Sequence, residues 1–152
     1  MVTPGSGIRT IEYPNGDIYK GAFLNGKRSG HGVLTYCADG SYEGEFANGL
    51  FHGYGIYTCK KYKYEGYYYE AQKQGDQGVQ EDYENGDLFK GSFKNDVYDG
   101  FGVLVRKINL SRNGKNIEAV EKIVGEWTHG QINGDNICIN YGNGDSYEGQ
   151  MR

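Results

Sequence analysis

The sequence predicts an all-β fold: tandem β-hairpins pairing edge to edge into one elongated, twisted antiparallel sheet. Three observations predict it. A glycine recurs at Gly21, Gly44, Gly66, Gly91, Gly125 and Gly149, at intervals of 23, 22, 25, 34 and 24 residues, and self-similarity at that period marks a repeat architecture. Each of these glycines is bracketed, two residues before and two after, by large apolar side chains: Tyr19 and Phe23, Tyr42 and Phe46, Tyr64 and Tyr68, Phe89 and Phe93, Ile123 and Trp127, Tyr147 and Met151. Finally, the 152 residues hold 26 Gly and 15 Tyr but only six Leu and five Ala, a mixture that starves helices and suits short strands joined by tight turns.

The first strand of each unit is centred on the recurring glycine. Residues two apart on a strand share a face, so Tyr42, Gly44 and Phe46 point one way while Glu43 and Glu45 point the other. Tyr67 and Val124 depart from this by placing an apolar side chain on the charged face. The second strand follows a glycine nine residues on, at Gly30, Gly53, Gly75, Gly100 and Gly134, and in three units another at plus eleven, Gly32, Gly55 and Gly102. Asn25-Gly26 and Asn48-Gly49 join the strands within units; Asn15-Gly16, Asp39-Gly40, Asn85-Gly86 and Asn143-Gly144 join one unit to the next. Such pairs readily take the positive φ of tight turns. Unit three has Ala71 at the turn and Gly78 one residue late, which predicts a bulge; Asp96 and Asn136 replace glycines in units four and five.

The array reads as a single domain over residues 5–152, with units near 19–41, 42–63, 64–88, 89–122 and 123–146 and partial units at 5–18 and 147–152. The insertion 106–122, around Asn113-Gly114, reads as an elongated hairpin or as a loop. A glycine between two aromatics leaves room for neighbouring rings to lie across the backbone, so one face should carry a double row of rings, which sheet twist curves into a groove. A one-layer sheet is expected to leave part of those rings open.

These residues resemble MORN repeats (membrane occupation and recognition nexus), whose signature is an aromatic, an acid, Gly, an acid, an aromatic, then Asn-Gly and a Gly-rich second strand. Tyr42-Glu43-Gly44-Glu45-Phe46-Ala47-Asn48-Gly49, followed by His52-Gly53-Tyr54-Gly55, matches best. The resemblance implies a non-enzymatic scaffold or adaptor of cytoskeletal assemblies, including cilia, holding an extended or helical protein segment in the groove. The candidate partner-binding residues are Tyr19, Phe23, Tyr42, Phe46, Tyr64, Tyr68, Phe89, Phe93, Trp127 and Tyr147, since aromatics dominate binding hot spots. Charge at Tyr42 or Tyr64 is expected to abolish capture while sparing the fold.

The alternative is a membrane-associated module that contacts anionic phospholipid through Lys60, Lys61 and Lys63, with Arg106, Lys107, Arg112, Lys115 and Lys122 as a second basic group on the insertion. A net charge of −4 argues against nucleic acid. Open terminal strands would allow a homodimer or an array. Three cysteines without metal-ligand spacing, and no apolar leader at the N-terminus, point to reduced thiols in the cytoplasm, and the Asn109-Leu110-Ser111 sequon reads as chance.

No catalytic residue, metal site or cofactor is expected. Gly21 to Arg28 nearly fits a phosphate-binding loop, but Arg28 stands where the magnesium-holding Ser or Thr belongs, and the context is strand-turn-strand. His31, His52 and His129 fall at different repeat offsets, so the repeat does not bring them together.

Overall fold

The computed structural model describes residues 7–141 and 144–149, by backbone alone at 110, 112 and 134–137. These residues form β1 (Gly7–Glu12), β2 (Ile18–Leu24), β3 (Lys27–Thr35), β4 (Ser41–Ala47), β5 (Leu50–Thr58), β6 (Tyr62–Tyr69), β7 (Gln72–Asp82), β8 (Leu88–Lys94), β9 (Val97–Arg112), β10 (Lys115–Thr128), β11 (Gln131–Asn140) and β12 (Ser146–Gly149). They make one antiparallel sheet in which every strand pairs with its neighbours in sequence order. The expectations for residues 5, 6, 143 and 150–152, Met151 included, lie outside the described residues.

The turns within units are two-residue turns with both residues at positive φ: Asn25 and Gly26 (51°, 74°), Asn48 and Gly49 (52°, 84°), His129 and Gly130 (50°, 80°); Asn113 and Gly114 (52°, 73°), which join β9 to β10, take the same form. That geometry matches the twist of the flanking strands. The twist demands it even where the sequence is unfavourable, and Ala71 and Asp96 are held at 66° and 71°. At Asn15-Gly16, Asp39-Gly40 and Asn85-Gly86 the expectation of tight turns between units does not hold as written. Gly16, Gly40 and Gly86 take positive φ, but the residue before each does not, and the connections are longer loops closed by bonds such as Tyr13 N to Asp17 O at 2.8 Å.

A β-bulge was legible at Gly78, and β7 does shift register against β8 between Gly75 and Gly78. The structure adds a recurring shift within the units. Between Gly44 and Phe46, β4 spans two residues while β5 spans four, from Gly55 to Phe51; the same slip lies between Gly21 and Phe23 and between Gly91 and Phe93, and at unit three it is one residue wider, β7 spending five from Val79 to Gln74 against the two from Glu65 to Tyr67. The tyrosine of the repeat uses it: the Tyr19, Tyr42 and Tyr64 hydroxyls donate to the carbonyls of Ala22, Glu45 and Tyr67 at 2.9, 2.9 and 3.1 Å. A buried hydroxyl is thereby satisfied by the residue standing at the slip.

The core lies on one face. One residue per strand lies in continuous register: Ile11, Tyr19, Leu34, Tyr42, Tyr57, Tyr64, Gln80, Phe89, Leu104, Ile123, Ile139 and Tyr147. On the opposite face Thr10, Lys20, Val33, Glu43, Ile56, Glu65, Val79, Lys90, Val103, Val124, Cys138 and Glu148 form the matching row. Charge falls mainly on first strands there and β-branched side chains on second strands.

Successive units are tied at both long edges. The turn amides of Gly49, Ala71, Asp96 and Gly130 donate to Arg28, Phe51, Lys73 and Tyr98 of the preceding unit. At the other edge Asp17 and Asp39 accept from the backbone N–H of Cys37 and Lys60. β9 and β10 pair from Gly100↔Trp127 to Arg112↔Lys115, whereas β8 reaches only Val105 and β11 only Lys122. A two-stranded ribbon thus runs seven residue pairs beyond the sheet, roughly 24 Å at strand rise.

Candidate functional site

The candidate residues divide by burial. Tyr19, Tyr42, Tyr64 and Phe89 are fully buried, Phe23, Phe46, Tyr68, Phe93 and Trp127 nearly so, and Tyr147 alone is exposed, at 46%. The expectation that a single layer leaves these rings open is therefore incorrect for nine of the ten. The reason is the glycine pair. Tyr19 lies across Gly21 and Gly32 so closely that a Cβ on Gly21 would meet its Cζ at 2.7 Å. The ring is then boxed edge-on by Phe23 and Phe46, each at 5.1 Å. The same edge-to-face chain continues through Tyr42, Tyr68, Tyr64 and Phe93. Such pairs contribute about 0.5–1.5 kcal/mol each beyond burial.

A second layer, which the sequence reading did not single out, covers the first. Phe51 stacks on Tyr42 and Tyr98 on Phe89, both at 3.7 Å and 9°. Phe51 and Tyr98 are the register partners of Phe46 and Phe93. In the other units that position holds Arg28, opposite Phe23, Lys73, opposite Tyr68, and Ile132, opposite Trp127. Arg28 sits 5.8 Å from the Tyr19 ring and 5.4 Å from Phe46, held there by two bonds to Gly49 O at 3.2 and 2.7 Å. Lys73 Nζ lies 4.4 Å from the Tyr62 ring and 4.9 Å from Tyr64, and donates to Gln80 Oε1 at 2.6 Å. Read along the array, the caps are cation, ring, cation, ring, aliphatic. The signal was available: every cap is the second residue after its turn.

Electrostatics follow from this packing. Burial pushes Lys73 down to about 8, with Asp96 and Cys59 opposing, and pushes the Tyr62 and Tyr98 phenols up to about 12. Burial likewise raises Tyr42, Tyr64 and Tyr68.

The apolar surface that a partner could reach on this face is the half-buried set packed on the core, including Tyr13, Tyr36, Phe51, Tyr57, Tyr62 and Tyr98. It leads into a cleft of about 580 Å³ with Tyr98 and Trp127 on its walls and Arg106 at its margin. Arg106 is paired with Glu121, itself 8% exposed.

The lysines proposed for lipid contact do not converge. Lys60 and Lys61 stand in the β5–β6 connection, while Lys63 lies on the charged face, 3.7 Å from Glu65 and opposite Glu81 in the register. The histidines are dispersed: His31 is 3.9 Å from Glu43 on the charged face, His52 is 5.2 Å from the Tyr69 ring, and His129 is in the β10–β11 turn. Among the described residues, no group of three or more His, Cys, Asp or Glu could hold a metal ion, and no helix is long and apolar enough to cross a membrane.

A search of curated proteins returns no match to the chain. A family model, described as MORN repeat, matches at residues 19–41, 42–63, 89–108 and 124–134, together half of the chain. MORN repeats are a non-enzymatic repeat class linked to scaffolds that bind proteins or membranes. With the period, the glycine-roofing tyrosines and these four matches in agreement, the chain belongs to the MORN repeat family.

Proposed function

We propose that this protein is a non-enzymatic scaffold that holds a segment of another protein against its aromatic face, in a cytoskeletal or ciliary setting. The observation that carries the reading is the half-buried set packed on the core: Tyr36, Phe51, Tyr57, Tyr62, Tyr98 and Ile132 lie above a floor that is already full. An apolar surface of that kind on a folded chain is a characteristic docking surface. The setting is supported by the family resemblance.

The test must act on the caps. Tyr42 and Tyr64 are unsuitable, because a charge at either enters the core instead of the surface. Affinity capture from source-cell lysate, read by mass spectrometry, should lose its partner with Phe51→Asp or Ile132→Asp and keep it with Tyr67→Asp on the charged face, circular dichroism confirming that each variant is folded. Loss through Tyr67→Asp alone would move the site to the other face. Salt-sensitive binding to anionic vesicles, with no protein captured, would replace this reading with the lipid one.

A further inference from the structure

The charged face is not uniformly polar. Tyr54, Tyr67 and Phe101 stand open on it, 45%, 51% and 57% exposed, and the rings of Tyr54 and Tyr67 meet edge to face at 5.7 Å. Between Tyr67 on β6 and Phe101 on β9, a hollow of about 440 Å³ lies over β7 and β8, with Val79, Ser92 and Phe101 among its walls. Acids outnumber cations around it. Glu65 is paired with Lys63 and Glu43 faces His31, but Glu45, Asp76 and Glu126 are exposed and hold no ion pair among the described residues. Glu126 stands opposite Phe101 in the register, Asp76 lines the hollow, and Glu45 lies on β4, next to the strand of Tyr54. Against these three, the hollow is lined by one cation, Lys90.

The β9–β10 ribbon has the opposite character. Val105 pairs with Lys122 and Lys107 with Val120, on the face that continues Val103 and Val124. Lys107, Val120 and Lys122 are exposed, and neither lysine holds an ion pair among the described residues. The ribbon leads away from the rings of its own chain. Phe101 and Lys107 lie on one continuous strand, β9, roughly 20 Å apart at strand rise. A strand cannot double back onto itself, so only another copy can bring the two surfaces together.

We propose that the charged face binds a second copy of this chain, the ribbon of each copy lying across Tyr54, Tyr67 and Phe101 of the other. Lys107 and Lys122 meet the unpaired carboxylates Glu45, Asp76 and Glu126, and Val120 enters the hollow beside Phe101. The lengths agree: the ribbon reaches roughly 24 Å beyond the sheet, and the four strand spacings from Tyr54 on β5 to Phe101 on β9 span roughly 19 Å. The ribbon therefore crosses the facing strands steeply, as in orthogonal sheet packing. Made twice about a two-fold axis, the contact is self-complementary and closes a dimer. Opposite charge on ribbon and patch sets the orientation, and the open rings supply the apolar area. The aromatic face stays free in this dimer, which goes beyond the scaffold reading by giving the scaffold two copies of its partner surface.

The experiment is sedimentation velocity of the intact chain over a concentration series, at low and at physiological salt. The wild type should self-associate, more weakly as salt rises. Glu45→Lys/Glu126→Lys on the patch and Lys107→Glu/Lys122→Glu on the ribbon should each weaken association about tenfold or more. All four positions are exposed, and circular dichroism verifies the fold of each variant. Mixed one to one, the two variants should associate like the wild type, because each ribbon then meets a patch of opposite charge. Tyr67→Ser/Phe101→Ser should weaken association, and Phe51→Asp on the aromatic face should leave it unchanged. A wild type that sediments as a monomer throughout would overturn the proposal. So would association that survives both reversals, that the mixture does not restore, or that Phe51→Asp abolishes. Partner capture on the aromatic face is read separately through Phe51→Asp, so the scaffold reading stands or falls independently.

Discussion

At the residue scale the repeat turns on a tyrosine that needs two glycines beneath it. A Cβ on Gly55 would fall inside the Tyr42 ring and hydroxyl, so Gly55→Ala should cost about 3 kcal/mol, the upper range for overpacking. Gly26 meets no atom within 4 Å and its difficulty is only its φ of 74°, so Gly26→Ala should cost about 1 kcal/mol. Urea midpoints separate the two. The converse holds at Ala71, an alanine at φ 66°, where Ala71→Gly should stabilise by about 0.5–1 kcal/mol. Lys73 gives a pH signature. Its pKa is lowered by burial from 10.5 to about 8, so the unfolded chain binds more protons between those values and stability rises with pH across that window. Lys73→Met should therefore be more stable than wild type by about 1–2 kcal/mol at pH 7, with the advantage fading as pH approaches 10. Unfolding by urea at pH 7, 8.5 and 10 reads the difference. The raised phenols of Tyr42, Tyr64 and Tyr68 act oppositely in both chains, since their contribution is complete below pH 10 and falls away above it.

At the element scale each unit is a hairpin with a slip in it, and the slip decides what reaches the surface. First strands were legible because aromatic, glycine and aromatic recur at fixed spacing around Gly21, Gly44, Gly66 and Gly91. The caps are harder to see, because Arg28, Phe51, Lys73, Tyr98 and Ile132 share no side-chain type and only their place two residues after each turn marks them. What unites them is a register that the recurring slip sets, with β5 spending four residues where β4 spends two. The double row of rings is present on one face but is not open as expected, since the spacing of Phe51 after its turn does not by itself show that its ring stacks over Tyr42. The β9–β10 ribbon is the element least bound to the rest. Beyond Val105 and Lys122 neither strand has a second neighbour in the described sheet. Replacing residues 109–118 by Asn-Gly keeps the Arg106–Glu121 and Ile108–Ala119 pairs and should shift the melting temperature by only a few degrees, since the missing tip carries few contacts that cross to other units. A collapse of stability would mean that the ribbon folds back on the sheet.

At the scale of the whole molecule, fold class, period and unit order could be read from the glycines alone, because in a stacked array each unit repeats the same local problem. Which side chains cover the rings on the aromatic face differs from unit to unit, and this the period cannot predict. Neighbour-only pairing also has a mechanical consequence. Every strand lies across the long axis, and the hydrogen bonds between strands run along it. A pull applied at the two ends of the chain peels one strand from its neighbour, bond after bond, instead of shearing a whole ladder at once. In an optical trap the protein should extend at low force in a series of small, similar steps, each the length of a hairpin or half of one, and should rewind as the load is released. An array built this way yields under tension without losing the order of its units, as a spring does.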